Sequence, residues 1–301
     1  MKPYILVIGS SNTDMVVKSA RLPAPGETIL GGTFLMNAGG KGANQAVAAA
    51  RLGADVVFIA KIGDDIFGRQ AVELFEQEGI DTSYIITDPV NPSGVALITV
   101  DDKAENCIVV ASGANAHLLP GDLHKADQKI KNASLILMQL EIPIETVEYV
   151  ANIAAQNNIK LVLNPAPACG LSDELLSTVS IITPNETEAE MLTGIKIADK
   201  ESAQTAAELL AEKGVETVII TLGANGALVF HANHFDWVPA PVVEAVDTTA
   251  AGDVFNGALA VAISEGRNIE NAVIFASTAA ALSVTKMGAQ ASAPLRSEIK
   301  D

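Results

Sequence analysis

The sequence predicts an α/β fold: a three-layer α/β/α sandwich around a mostly parallel sheet, carrying a small antiparallel β-lid. Three observations predict it. Short apolar runs alternate along the chain with longer stretches of helical period, the rhythm of βα units. Hydrophobic residues make up 49% of the 301 residues and aromatics only 4%. Ala, Val, Ile and Leu must therefore fill the core, which suits a parallel sheet covered on both faces. Two pairs of strand-like pieces fall outside the βα rhythm. The length suits one large α/β domain, and residues 1–301 are read as one, with a discontinuous lid from about 13–36 and 93–111.

Taken in order, residues 4–8 form a continuous apolar run ending in Gly9-Ser10, a central strand. Asn12, Thr13 and Asp14 follow its carboxyl end, where open α/β sheets place ligands. Residues 15–17 and 28–30 are strand-like and separated by Pro23, Pro25 and Gly26. Residues 94–101 and 106–111 form the second such pair, joined by the polar turn 102–105. A small sheet with one apolar face needs a cover. Gly39-Gly40-Lys41-Gly42 leads into an Ala-rich helix over 43–52, and Asn44 lies in its first turn. The alternation then runs strand 56–62, helix 67–78, strand 135–140, helix 144–157, strand 160–163, strand 181–182, helix 201–213 and strand 217–222. A hairpin over 227–230 and 234–238 follows, then helices from about 250 and over 269–286.

The stretch 246–257, Val-Asp-Thr-Thr-Ala-Ala-Gly-Asp-Val-Phe-Asn-Gly, carries the most chemistry. Ala250, Ala251, Gly252 and Asp253 are read as the first turn of a buried helix. A first turn leaves backbone N–H groups without partners, and these attract an anion. Asp253 beside such an anion either caps the helix or serves as a base toward a hydroxyl; the local pattern allows both. Lys41 is followed by Gly42, so no Walker pattern is present, and GxGxxG is absent too. The glycines at 39, 40 and 42 instead let a polyol approach the backbone, or simply form a turn. Glu141 stands at the ligand edge after a strand, Asn185 and Glu188 open a helix after Pro184, and Thr221-Leu222-Gly223-Ala224-Asn225-Gly226 is a glycine-containing loop after a strand. Each is equally readable as a solvated edge, a dipole complement or a plain turn.

The formal net charge of −17 opposes nucleic acid and anionic membranes. It also opposes a nucleotide, so a nucleotide site needs local positive potential from helix ends and metal ions. Two cysteines, Cys107 and Cys169, make no disulfide framework. No window reaches the roughly 18 apolar residues of a membrane span. A cytoplasmic protein is expected. His117, His124, His231 and His234 show no metal spacing.

DTTAAGD at 247–253 resembles the C-terminal signature of the ribokinase family of carbohydrate kinases, and GGKGANQA at 39–46 resembles its N-terminal one. TPNETE at 183–188 is similar to its Asn-x-x-Glu segment. The resemblance implies ATP-dependent phosphorylation of a sugar at its terminal hydroxyl. GGKGANQA and NPAPA point to D-ribose, with deoxyribose, fructose or a non-catalytic sugar sensor as alternatives. It implies a sugar site of Asn12, Thr13, Asp14, Gly40, Lys41, Gly42, Ala43, Asn44, Glu141 and Asp253. Asp253 would be the base, with Ala250, Ala251 and Gly252 as anion hole. The nucleotide would lie along Asn185, residues 221–226, Gly252, Asp253 and Ser277, where family members often carry His. Mg²⁺ would sit near Glu188. K⁺ would be held mainly by carbonyl oxygens among Asp247, Thr249, Ser283, Lys286, Gly288 and Ser292, with Lys286 and Thr249 acting only through their backbone. A homodimer through the lid is also implied.

Overall fold

The computed structural model describes residues 3–103 and 105–299. Met1, Lys2 and Ala104, the last within the expected turn 102–105, lie outside the described residues, as do Lys300 and Asp301. The chain opens with β1 (Ile5–Ile8), β2 (Asn12–Lys18) and β3 (Thr33–Gly39), then α1 (Lys41–Arg51). β4 (Val56–Ile59), β5 (Lys61–Gly63), α2 (Ile66–Gln77), β6 (Ile86–Asp88), β7 (Gly94–Val100) and β8 (Asn106–Ala111) follow. Next come α3 (Asp127–Lys131), β9 (Leu135–Met138), α4 (Ile144–Gln156), β10 (Lys160–Leu163), α5 (Asp173–Leu176) and β11 (Ile181–Ile182). The last part holds α6 (Glu186–Thr193), α7 (Lys200–Glu212), β12 (Thr217–Thr221), β13 (Ala227–His231), β14 (His234–Val238), α8 (Ala251–Ser264) and α9 (Ile269–Ser283).

Eight strands build the main sheet in the order β14-β13-β12-β11-β10-β9-β1-β4. Every pairing from β4 across to β12 is parallel, and β13 and β14 close the far edge as an antiparallel hairpin. The strand period of two assigns alternate side chains to opposite layers. Leu6 and Ile8 pack with residues of α3, α4, α6 and α7, whereas Ile5 and Val7 pack with α1, α2, α8 and α9. Burying each such side chain is worth about 1.5–3 kcal/mol, which explains why these strands read as unbroken apolar runs. Helix starts follow side-chain caps: Asp65 accepts from Gly68 N–H, Asp199 from Ser202 N–H and Asn268 from Asn271 N–H. Helices α1 and α8 approach closely because residue 257 is glycine. A Cβ there would lie 2.7 Å from Ala48 Cβ and 2.8 Å from Gln45 O.

A second sheet has the order β3-β2-β7-β8. Its outer pairs are antiparallel and its middle pair, β2 with β7, is parallel. Registers Met15↔Met36, Val17↔Phe34, Met15↔Leu97 and Leu97↔Val109 place these six apolar side chains on one face, opposite to Asp14.

The structure corrects several expectations of detail. Residues 28–30 form no strand, and Leu30 is 96% exposed; the strand that pairs β2 starts after Gly31 and Gly32, at Thr33. The run 56–62 breaks at Ala60, because Lys61–Gly63 leaves the main sheet to pair with Ile86–Asp88. Helix α1 starts at Lys41 rather than Ala43, with Gly40 as its N-cap. Helix α9 stops at Ser283 and not at Lys286; Val284 O then accepts from the N–H groups of Val246 and Asp247.

Candidate active site

The carboxyl ends of β1, β9, β10, β11 and β12 converge on the N-termini of α1, α6 and α8. Asp253 lies at the centre, in the first turn of α8 and buried. Asn44 Nδ2 donates to its Oδ2 at 2.9 Å and Gln45 Nε2 to its Oδ1 at 3.0 Å, both from α1. Burial pushes the Asp253 carboxyl above its ordinary range, and the nearby Lys41 ammonium and these two amides oppose that. The cap reading of Asp253 does not hold: Ala250 is the N-cap and no side chain caps α8.

Ala250 is not part of the first turn as expected. It sits outside the helix in the left-handed region, at φ 59° and ψ 13°. That conformation costs an L-residue roughly 1–2 kcal/mol. The amide of Ala251 is a second departure, since it closes the turn by donating to Thr248 O at 3.3 Å. Among the described residues the N–H groups of Gly252 and Asp253 have no partner, while Val254 N–H already donates to Ala250 O. The expected anion hole is thus reduced to the Gly252 and Asp253 amides with the open end of α8 behind them.

On the opposite wall, Glu141 Oε2 accepts from Ser10 Oγ at 2.5 Å and from the Lys41 amide at 3.0 Å. That carboxylate complements the N-terminus of α1, and its Oε1 makes no hydrogen bond among the described residues. Gly42 lets the start of α1 press on the end of β1: a Cβ at 42 would lie 2.6 Å from Ser10 N and 2.7 Å from Gly9 Cα. Asn12 is buried and accepts through Oδ1 from Asn115 Nδ2 at 2.8 Å, which leaves its own amide free. Asp14 projects from β2 toward Glu141 and Asp253. Burial, and then those two carboxylates, push it up to about 6. Burial lowers the Lys41 ammonium, but Asp253, Glu141 and Glu188 outweigh this and hold it above its ordinary range. The local balance is therefore several carboxylates around one lysine, a site short of positive charge.

Asn185 and Glu188 form a reciprocal cap of α6: Asn185 Oδ1 accepts from Glu188 N–H at 2.8 Å and Glu188 Oε2 from Asn185 N–H at 2.9 Å. Thr221 pairs with Asn185 as an isolated bridge, so loop 221–226 runs beside this cap. A cleft of about 550 Å³ opens at that loop between Leu222, Asn225 and Trp237, and Asp14, Lys41 and Asp253 do not line it. Ser277 is buried on α9, and Thr13 is half-buried on β2.

In the loop before α8, Asp247 Oδ1 accepts from Thr249 N–H at 2.9 Å and Oδ2 from Gly288 N–H at 2.9 Å. Burial works against its charge, but the hydrogen bonds from Thr249 and Gly288 hold its carboxyl below the ordinary range. Lys286 Nζ turns away to Glu298 at 2.7 Å. Ser283 O is taken by Lys286 N–H at 3.0 Å, and Ser292 Oγ bonds Ala289 O.

Four residues that hold the site escaped sequence reasoning: Ser10, Asn115, Gln45 and Gln139. A glutamine directly after the apolar strand 135–138, and another inside an Ala-rich helix, were the available signals. Asn115 gave none.

The family model for "pfkB family carbohydrate kinase" matches residues 2–296. The chain belongs to the pfkB family of carbohydrate kinases. Within that family it is similar to the ribokinase of Haemophilus influenzae, with 50% identity over 298 residues, 99% of this chain and 97% of that protein. It is 40% identical to the deoxyribokinase of Salmonella typhimurium over 291 residues, 96% of this chain and 95% of that one. The structure of Arabidopsis thaliana ribokinase complexed with ribose and ATP superposes with a TM-score of 0.94 at 33% identity, covering 99% of this chain and 97% of that chain. Two of the stretches singled out in the sequence touch the start of α8: Asn44 of α1 donates to Asp253, and Thr183, two residues before Asn185, donates to Asn256.

Proposed function

We propose that the chain transfers the γ-phosphoryl group of ATP to the terminal hydroxyl of D-ribose, giving D-ribose 5-phosphate and ADP. One observation carries the reading: a buried carboxylate, Asp253, lies in the same helical turn as two amides unpartnered among the described residues, its own and that of Gly252. The hydroxyl proton passes to Asp253 as the oxygen attacks phosphorus and the bond to the β-phosphate oxygen breaks. The two amides and the α8 dipole meet the charge on the transferring group. The 50% identity to a ribokinase supports ribose as acceptor, and the 40% identity to a deoxyribokinase supports deoxyribose as the second reading. A coupled ADP-release assay over ribose, deoxyribose and fructose tests this. Ribose is expected to give the highest kcat/KM; no ADP release with any sugar would overturn the kinase reading in favour of a sensor.

Sugar would lie between β2 and α1, against Asn12, Thr13, Asp14, Gly40, Lys41, Gly42, Ala43, Asn44 and Glu141. Asp14 accepts most strongly from sugar hydroxyls when it is ionised, with both oxygens as charged acceptors. Burial and its carboxylate neighbours push it up to about 6, so this strongly accepting form is lost as pH falls through that value. The KM for ribose is expected to rise below about pH 6, by roughly tenfold on full protonation, the size of a charge-assisted hydrogen bond. In Asp14→Asn the KM should be high and flat across the same range; a wild-type KM that is flat from pH 5 to 8 counts against this role.

ATP would run from Gly252 past Asn185 to loop 221–226 and Ser277. Among the described residues no group of three or more His, Cys, Asp or Glu is placed to hold a metal ion. Mg²⁺ would be held with the nucleotide by phosphates, water and Glu188 Oε1, which has no hydrogen-bond partner among the described residues. When bound it supplies neutralising charge at the phosphates. K⁺ would sit in the loop around Asp247, whose carboxylate is held charged; Lys286 pairs with Glu298, and Lys18 is the ammonium whose charge also acts on Asp247. Backbone oxygens of Thr249, Lys286 and Gly288, with Ser292 nearby, would complete such a site; Ser283 O already has a donor.

The second sheet would act as a lid over the sugar. Its outer face exposes Val17, Phe34, Met36, Leu97 and Val109. A contiguous apolar face of this kind calls for a partner, and a second copy of the chain is the partner proposed. Static light scattering is expected to give a dimer mass, and a monomer at micromolar concentration overturns it.

A further inference from the structure

The sugar reading leaves one buried side chain without a task. Asn115 lies in the short helical segment Gly113–His117, a hundred residues along the chain from β2, and is buried. Its Oδ1 accepts from Ser11 N–H at 2.9 Å, and its Nδ2 donates to Ser11 O at 3.1 Å. A main-chain N–H can only donate and a main-chain carbonyl can only accept. Turning the Asn115 amide by half a circle would set donor against donor and acceptor against acceptor. The backbone between β1 and β2 therefore imposes the orientation of Asn115.

The second hydrogen on the same Nδ2 goes to Asn12 Oδ1 at 2.8 Å. Among the described residues the Asn12 side chain makes no other hydrogen bond, so nothing else there chooses which end of its amide is held back. Asn12 Nδ2 is left without a partner, yet it is not sealed from solvent. Residues 12 and 14 lie on one face of β2, the face from which Asp14 meets the charges of Glu141 and Asp253. The fit around the bond is close. A Cβ on Gly94, the residue of β7 opposite Asn12, would lie 2.1 Å from Asn12 Oδ1 and 2.3 Å from Asn115 Nδ2.

We infer that Asn115 is a positioning residue for the sugar: it passes the polarity of the Ser11 backbone on to Asn12, so that Asn12 offers the site its NH₂ and not its oxygen. This rests on the sugar lying against Asn12 and Asp14. The strand then presents a fixed pair, a donor at 12 beside an acceptor at 14. A hydroxyl can accept from the first while it, or the next hydroxyl on the ring, donates to the second. Neither protein group has to turn. An unlocked Asn12 would have to be ordered by the sugar itself, and affinity would fall by the cost of fixing one side chain.

Asn115→Ala opens a space lined by Ser11 N–H, Ser11 O and Asn12 Oδ1, polar enough for water to fill. Water donates and accepts, so Ser11 keeps partners while Asn12 is free to turn. The KM for ribose is expected to rise by about three- to tenfold, the ordering cost of one side chain, with kcat within about twofold of the parent's and the KM for ATP unchanged. Positioning and mere packing part company in Asn12→Ala, where there is no amide left to orient. In that background Asn115→Ala should leave the KM for ribose within about 1.5-fold, so that the two substitutions are not additive. Asn115→Ser, which keeps a polar atom near Ser11, carries the same expectations where the alanine variant does not fold. A folded Asn115 variant with the parent's KM for ribose overturns the inference, and so does an equal rise with and without the Asn12 amide. If Asn12→Ala itself leaves that KM at the parent's value, it is the sugar reading of β2 that has failed; if Asn12→Ala raises it and Asn115→Ala does not, only the positioning role has failed.

Discussion

Asp253→Asn is expected to lose at least about a hundredfold in kcat, the low end for removal of a general base, while still binding ATP. The substitution keeps the shape of the side chain but leaves one oxygen where there were two. Asn44 Nδ2 and Gln45 Nε2 both donate to the carboxylate, so one of them will face an NH₂ group. A buried donor left without an acceptor costs about 1–3 kcal/mol, and Tm should fall by about 2–10 °C. Single-turnover kinetics, equilibrium ATP binding and a thermal melt on the same sample separate the two effects. Near-parental turnover in the folded variant would remove Asp253 from the chemistry.

Gly42→Ala is expected to be nearly as damaging by a different route. The added methyl would meet Ser10 N at 2.6 Å and Gly9 C and Cα at 2.7 Å, all backbone atoms at the end of β1. No side chain can swing aside, so α1 itself must move. Overpacking of this kind costs about 1–3 kcal/mol. The larger consequence is geometric: Lys41, Asn44 and Gln45 ride on α1, and a displacement of about 1 Å at a reacting group can cost roughly a hundredfold. The expected outcome is a folded protein with lower Tm and a kcat/KM for ribose reduced by about two orders of magnitude. A variant with parental kinetics would mean that the contact between α1 and β1 does not set the site.

What could be read in the sequence, and what could not, follows the range of the forces involved. The central strands were legible because a strand buried on both faces must be apolar throughout; Ile5–Ile8 and Leu135–Met138 announce themselves. The start of α8 near residue 250 was legible from its run of small residues, but the left-handed Ala250 that precedes the helix was not. The position of β3 was not. Thr28-Ile29-Leu30 is as strand-like as Phe34-Leu35-Met36, and what decides between them is pairing with β2, a contact outside any local window. The break at Ala60 is of the same kind, since β5 leaves the main sheet for a partner further along the chain, at Ile86–Asp88. The carboxamides behind Asp253 were hidden for another reason. Polar residues in apolar runs look like noise until their partners are known, and Gln45, Gln139 and Asn164 come from three separate parts of the chain.

Ala250 has a bearing on the phosphate site proposed at the start of α8. Its left-handed backbone is uphill for alanine, and within the turn it is met by the bonds Ala251 N–H to Thr248 O and Val254 N–H to Ala250 O. Further support comes from outside the turn: Val284 O gripping the amides of Val246 and Asp247, Gly288 N–H on Asp247, and α8 packed on α1. Cut loose, a synthetic peptide of residues 246–257 would let Ala250 slip back to a right-handed conformation and would hold no anion. The cradle is thus a property of the assembled chain, and transplanting the letters alone into another scaffold would carry none of it along.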